Sequence, residues 1–391
     1  MPSALVHAYP WDFAGPAASD PAAARAVELG VTAVAVAASY HATRAAGPLH
    51  PSRPLVEAEH AACYVPVRPS AWAGRRLVPR SPTWVDSPDS FGSARRSLAA
   101  AGLETHAWVV LTHNRALGGA HPDLVVRNAF GHAYPYALCP SAPDVVEYCT
   151  TLVEEVQAAG PVDGLVLEAC GPMGFEHNGP HDKTGLAGWT ATQRALLSLC
   201  FCTACTGRYA DAGADVAEAR SRVRQAITPG GVPCPPPVPD SVERALGADL
   251  AGVLHGVRSA ATAGLRRQVL ARAGSGVRVT LHADPDPWAR GSFAPVAPAL
   301  EDPVDALVAS CVDVDAGVRS LPELRALGGP DVALGALVQP TRDWADADVV
   351  ERIDRLRSAG AVELHLYHLG LVGPAGHALL RRMAEAFLSA R

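Results

Sequence analysis

Eight short runs of β-branched and small apolar residues, separated by stretches of helical period, constrain this chain more than any other feature. They are ALVHAY (4–9), VTAVAVAA (31–38), THAWVVLT (105–112), VDGLVLEA (162–169), VRVTLHA (277–283), VDALVAS (304–310), VALGALV (332–338) and VELHLYH (362–368). Most show little polar alternation, as expected of parallel strands covered on both faces, and segments such as DPAAARAVELG and VVERIDRLRSAG fill the gaps with helix. Eight strands and eight helices predict a closed (β/α)8 TIM barrel, one domain over residues 1–391. The alternative is an open doubly wound sheet. No strand leads into a Gly-x-Gly-x-x-Gly turn, so a nucleotide-binding sheet lacks its strongest mark.

The connections are unequal, and their lengths point to one end of the barrel. Long loops rich in proline and aromatic residues follow strand 2 (Tyr40 to Ser90), strand 3 (His113 to Pro140) and strand 4 (Cys170 to Trp189), on the side where barrel enzymes carry their sites. Residues 209–276, with ITPGGVPCPPPVPD and then a long Ala/Leu/Arg stretch, predict a helical insertion or cover. A net charge of −6 without a basic cluster argues against nucleic acid and anionic membranes as partners. MPSALVHAYPWDF has no basic segment followed by an apolar run, and no stretch approaches the ~20 apolar residues of a membrane span. The expectation is a cytoplasmic protein, and a homo-oligomer is compatible with the sequence. Nine cysteines then read as thiols and metal ligands rather than a disulfide framework.

LCFCTAC sets Cys200, Cys202 and Cys205 within six residues. Such a run aims three thiolates at one point, and tetrahedral zinc asks for a fourth ligand from elsewhere. The competing reading is free thiols packed on a helix. Fourth-ligand candidates are Cys139, Cys149 and Cys170. Cys139, in a mouth-side loop, is preferred. Cys149 falls within a predicted helix, where a thiol packs as a small apolar group, and Cys170 follows a candidate catalytic residue. A closed four-cysteine site is structural and activates no water.

That candidate is Glu168, at the carboxyl end of the buried run VDGLVLEA. A carboxylate at this edge of a barrel reads as catalytic, and Leu165, Val166 and Leu167 leave it partly desolvated, as suits a general acid. The competing reading pairs it with Arg44 or Arg127. The order GHAYPYALCPSAPDVVEYCTTLVEEV, a strand ending in glutamate, then CFCTAC resembles family-42 β-galactosidases and related clan A glycoside hydrolases. The likeness covers roughly residues 121–209. It implies an acid/base role for Glu168 and a zinc site of Cys139, Cys200, Cys202 and Cys205. Two positions depart from the pattern: Leu167 stands where asparagine precedes the acid/base, and Gln339 stands where strand 7 carries the nucleophile. A glutamine forms no glycosyl ester.

A glycosidase needs a second carboxyl, and Asp284 and Asp286 in LHADPDPW are the candidates, against a simple turn; Glu176 is a further option. Trp11, Trp288 and Trp344 follow strands 1, 5 and 7 and are candidate stacking surfaces for a sugar ring. His7, His41, His113, His282 and His365 fall near strand ends, with His177 and His181 in the strand 4 loop. They are read as substrate-binding groups, together with Tyr40, Arg44, Arg127, Asn128 and Trp288. The rival enzyme reading gathers the histidines around a catalytic metal as a hydrolase or isomerase, and a non-catalytic carbohydrate-binding barrel is the third. No Gly-x-Ser-x-Gly elbow or P-loop is present.

Overall fold

The computed structural model describes residues 2–176, 182–228, 240–296, 300–340, 344 and 348–389. All eight predicted strands form: β1 (Ser3–Ala8), β2 (Ala33–Tyr40), β3 (Glu104–Val110), β4 (Gly164–Glu168), β5 (Arg278–Asp284), β6 (Ala306–Ser310), β7 (Ala333–Val338) and β8 (Glu363–Leu366). Each pairs in parallel with its neighbour in sequence. The ring closes where β1 pairs with β8, with Leu5 opposite His365, and the fold is a (β/α)8 barrel. Every residue of β2 and β4 is buried, because one face meets the barrel interior and the other the helices.

Seven helices follow strands around the outside: α1 (Pro21–Glu28), α2 (Ser90–Ala100), α3 (Pro143–Ala158), α4 (Ala248–Leu270), α5 (Val314–Gly328), α6 (Val349–Ser358) and α7 (Pro374–Leu388). Their starts are written locally. Asp20 accepts from the Ala22 and Ala23 amides ahead of Pro21, Asp89 caps α2 through the Gly92 amide, and Asp313 caps α5 through the Ala316 amide. The expected eighth helix is absent among the described residues between β5 and β6. Pro285, Pro287, Pro295, Pro298 and Pro303 interrupt that connection, and each removes an amide donor that a helix needs. Turns and the short strand Ala294–Pro295, paired with the end of β5, take the helix's place.

The stretch over 209–276 divides in two. Its long helix is α4, which packs on α3 as the helix following β4. Short helices at Ala191–Leu197, Thr203–Asp211, Val216–Ile227 and Val242–Leu246 lie ahead of it in the same connection. The loop after β2 adds the antiparallel ribbon of Thr43–Ala46 with Leu55–Ala58. The loop after β3 adds a second ribbon, Val125–Arg127 with Ala133–Leu138. No helix among the described residues is long and apolar enough to cross a membrane.

Candidate functional site

The mouth chemistry comes from alternate residues of the strands, which point into the barrel. Glu168, the last residue of β4, is 6% exposed. Its Oε2 accepts the Trp108 indole N–H at 2.8 Å, and His282 Nδ1 of the neighbouring β5 lies 3.5 Å from the same oxygen. Arg44 and Arg127, the expected alternative partners, engage elsewhere: Arg44 pairs with Glu57 at 2.5 Å on the exposed ribbon, and Arg127 donates to the Gly131 and Pro122 carbonyls.

Three tyrosines stand around Trp108, and two of them, Tyr40 and Tyr367, lie in the field of Glu168. The hydroxyls of Tyr9, Tyr40 and Tyr367 lie 3.3 Å apart in all three pairs. The Trp108 ring lies parallel to Tyr9 at 6.2 Å between centroids and edge-on to Tyr40 at 4.7 Å. Burial pushes the phenols of Tyr9, Tyr40 and Tyr367 above their ordinary range, and Glu168 adds to the effect on Tyr40 and Tyr367. Behind them, Asp12 accepts the Tyr9 amide at 2.8 Å and lies 3.8 Å from His368. Burial raises the Asp12 carboxyl to about 7 and lowers His368 to about 3. His368 Nδ1 accepts the Gly370 amide, so the proton of the neutral ring resides on Nε2.

Deeper in the barrel, His7 lies 5.7 Å from His282 and 5.9 Å from His365 between ring centroids, and all three are almost fully buried. Small residues on adjacent strands make room for such rings. A Cβ on Gly164 would lie 2.8 Å from the His106 ring, and one on Gly335 would lie 3.2 Å from that of His365. His365 reaches Glu363 at 3.4 Å, and Glu363 is ion-paired with Arg278. These histidines share the interior without converging. Among the described residues, the only group of three or more potential ligands whose donor atoms meet within 4.8 Å is the cysteine cluster. At the rim, the His41 ring stacks on Tyr40 at 4.1 Å and lies 4.3 Å from His113. His177 and His181 lie outside the described residues.

The remaining candidates have the following partners. Asp284 lies on the same face of β5 as His282 and accepts the Asp286 amide, and Asp286 accepts the Trp288 amide, so the pair builds a turn. Burial raises the Asp284 carboxyl. Trp288 turns towards the helices, with its indole N–H on Glu243 and its ring against His255. Asn128 is a loop brace, accepting the Phe130 and His132 amides and donating to Tyr134. Glu176 is held by Arg194 and Arg290. Trp11 stacks on Tyr9, and Trp344 is buried under the Arg352 guanidinium. Sequence reasoning missed Asp12, Tyr9, Trp108, Tyr367 and His368. Tyr9 and Tyr367 were accessible to it, each two residues beyond a chosen inward histidine, His7 and His365.

Cys139, Cys200, Cys202 and Cys205 form a second, buried centre beside the barrel. Cys139 Sγ lies 3.7, 3.6 and 3.6 Å from those of Cys200, Cys202 and Cys205. A metal with ~2.3 Å bonds to four sulfurs in a tetrahedron separates them by ~3.8 Å, so the spacing fits such an ion. The surrounding thiols stabilise Cys202 as thiolate, and Cys202 N–H also points at Cys200 Sγ. The neighbouring sulfurs push the Cys139 and Cys205 thiols up, and burial does so for Cys200. The fourth position is Cys139, since Cys149 and Cys170 lie outside the converging group.

No protein-family model matches the chain, and no curated protein matches it in sequence. Solved structures do. The catalytic domain of a β-amylase from Paenibacillus polymyxa superposes with a TM-score of 0.57 at 12% identity over 98% of both chains. The PgaB (BpsB) glycoside hydrolase domain from Bordetella bronchiseptica gives 0.54 at 15% over the whole of both. α-L-Fucosidase isoenzyme 2 from Paenibacillus thiaminolyticus gives 0.56 at 12%, covering 98% of this chain and 49% of that one. The chain thus spans about half the length of the fucosidase. What it shares with all three is the barrel fold.

Proposed function

We propose that the chain is a carbohydrate-acting barrel of glycoside hydrolase type with Glu168 as its general acid/base. The observation that carries this reading is the seat of Glu168: a buried carboxyl at the carboxyl end of β4, gripped by the Trp108 N–H and flanked by His282, Tyr40 and Tyr367. In that role Glu168 protonates the leaving glycosidic oxygen and then takes a proton from water, with Trp108 fixing the orientation of its carboxyl. The glycoside hydrolase structures that share the fold, and the resemblance to family-42 β-galactosidases, support the same class. Asp284, on the inward face of β5, is the proposed partner carboxyl, and Asp286 holds its turn. His7, His41, His113 and His365 are proposed to line the sugar site with Tyr40.

Cys139, Cys200, Cys202 and Cys205 are proposed to hold one structural zinc, whose chemistry is four-sulfur closure without an open position. It would tie the loop after β3 to the helices after β4. Reduced thiols of this kind accord with a cytoplasmic protein. The short helices Val216–Ile227 and Val242–Leu246 would serve as helical cover within a single barrel domain, with α4 as the barrel's own helix after β4.

The test is Glu168→Gln assayed over a panel of aryl glycosides. Loss of turnover with fold and sugar affinity kept is expected, and unchanged turnover would remove the assignment. A second reading, a carbohydrate-binding barrel without catalysis, is favoured by Gln339 at the end of β7, where related barrels carry a nucleophilic carboxylate. Sugar binding without hydrolysis across that panel would select it.

A further inference from the structure

The three mouth tyrosines pose a problem that their mutual contacts do not solve. O–H···O bonds cluster near 2.7–2.8 Å, and all three hydroxyl separations here are 3.3 Å, so the phenol protons are poorly used in a buried setting. The equality of the separations is the informative part. Corners of an equilateral triangle of 3.3 Å edge lie ~1.9 Å from its centre, so one oxygen ~2 Å above the plane stands ~2.8 Å from all three hydroxyls. A single guest atom then gains hydrogen bonds of normal length that the triangle cannot make internally.

The surroundings select the guest. Tyr40 and Tyr367 lie in the field of Glu168, and Tyr9 and Tyr367 in that of Asp12, so an anionic oxygen would meet carboxylates on two sides. The buried Trp108 ring adjoins all three phenols, so the wall beside the polar triangle is apolar. Tyr367 is the member of the three that is partly exposed. An uncharged alcohol on an apolar-faced ring matches this combination.

We propose that Tyr9, Tyr40 and Tyr367 form a three-hydroxyl cradle for one alcohol oxygen of a neutral sugar, which sets that sugar's ring beside Glu168. The proposal rests on the carbohydrate reading above and names its recognition element. Because each phenol supplies one hydrogen bond, each Tyr→Phe change should weaken binding by roughly 2- to 13-fold while keeping the ring packing.

The experiment titrates the full chain with methyl glycosides of glucose, galactose, fucose and N-acetylglucosamine, by calorimetry and saturation-transfer NMR. It then repeats the best binder on Tyr9→Phe, Tyr40→Phe and Tyr367→Phe. Monodeoxy versions of that glycoside are titrated on the unmodified protein as a probe free of folding effects. The expected result is weakening in all three variants and one deoxy position whose loss is comparable, with the deoxy sugar indifferent to the Phe changes. Binding that the three variants leave unchanged, or no sensitive deoxy position, overturns the cradle and leaves the carbohydrate reading standing. Failure of the unmodified protein to bind any of the four overturns the carbohydrate reading and the cradle with it.

Discussion

Replacement of Cys202 by serine tests the metal assignment at its most sensitive point. Cys202 is the thiol that its neighbours hold as thiolate, and it begins the helix Thr203–Asp211 from the N-cap position, so it links the ligand geometry to the backbone of the connection after β4. Hydroxyl for thiol changes little volume and removes one sulfur of a four-sulfur shell. The protein purified without chelator should carry one zinc per chain by elemental analysis, and Cys202→Ser should carry under a tenth of that. The stability change follows from linkage. An ion that binds only the folded chain at a thousand times its dissociation constant contributes about 4 kcal/mol. Unfolding entropy of ~2.1 cal/mol/K per residue gives about 0.8 kcal/mol/K for a 391-residue chain, so metal loss should lower the melting temperature by about 5 °C. Calorimetry of the native protein, the variant and the chelator-treated native protein should place the last two together. Metal-free native protein melting where the untreated protein melts, or a variant that retains its zinc, would refute the reasoning.

Three other outcomes follow from the structure. A Cβ on Gly118 would lie 1.9 Å from the Pro135 carbonyl oxygen, whereas one on the next residue, Gly119, meets nothing within 4 Å. Gly118→Ala should therefore cost about 1–3 kcal/mol or more in denaturant melts, and Gly119→Ala should be neutral or stabilising by up to about 1 kcal/mol. Asp12 has a folded carboxyl raised from 3.8 to about 7, so the folded chain binds the extra proton and this contribution to stability falls as pH rises from about 4 to about 7, by about 4 kcal/mol. Asp12→Asn should remove that slope from urea midpoints measured across the window. His368 acts in the opposite sense: depressed from 6.5 to about 3, it leaves the unfolded chain binding more protons, so stability falls as pH drops through that range, by about 5 kcal/mol. His368→Gln should expose the Asp12 slope alone, and a native protein with a steep slope matching either variant would contradict the opposition.

The strands were legible because their outward residues, such as Val34, Val36, Leu165, Leu167 and Leu281, form the apolar layer between barrel and helices and are fully or almost fully buried. Helix starts were legible where an aspartate stood before the first turn. The cysteine convergence was legible because three ligands share one short run, which fixes most of the geometry without long-range information. The β5 to β6 connection misled because the count of strands imposed a helix on a proline-rich segment that local chemistry argued against. Trp288 misled in another way. Position after a strand predicted the mouth, but its N–H found Glu243 in the helical cover, a partner 45 residues away that no local pattern announces.

The least legible part was the barrel interior, and the reason is its composition. Barrel interiors ordinarily stack branched aliphatic residues in layers, whereas this one admits His7, His106, Thr280, His282, His365 and the Glu363–Arg278 pair. In sequence each of these occupies one alternate position of an otherwise apolar run, so hydropathy registers a buried strand and only residue type picks out the polar position, as it does for His7, His282 and His365 but not for His106, Arg278, Thr280 and Glu363. Part of the polar cost of that arrangement is met inside the barrel, by the Trp108 N–H at Glu168 and by Glu363 at His365. An interior of this kind holds its site residues on the strands or just beyond their ends, close to the hydrogen-bonded ladder. The 3.3 Å triangle of Tyr9, Tyr40 and Tyr367 stands at that edge: Tyr40 ends β2, and Tyr9 and Tyr367 each follow by one residue the paired strands β1 and β8. Site geometry in this chain is therefore a property of barrel closure, and a substitution that shifts the β1 and β8 register should disturb the mouth before it disturbs the cysteine centre, which stands on loops and helices of its own.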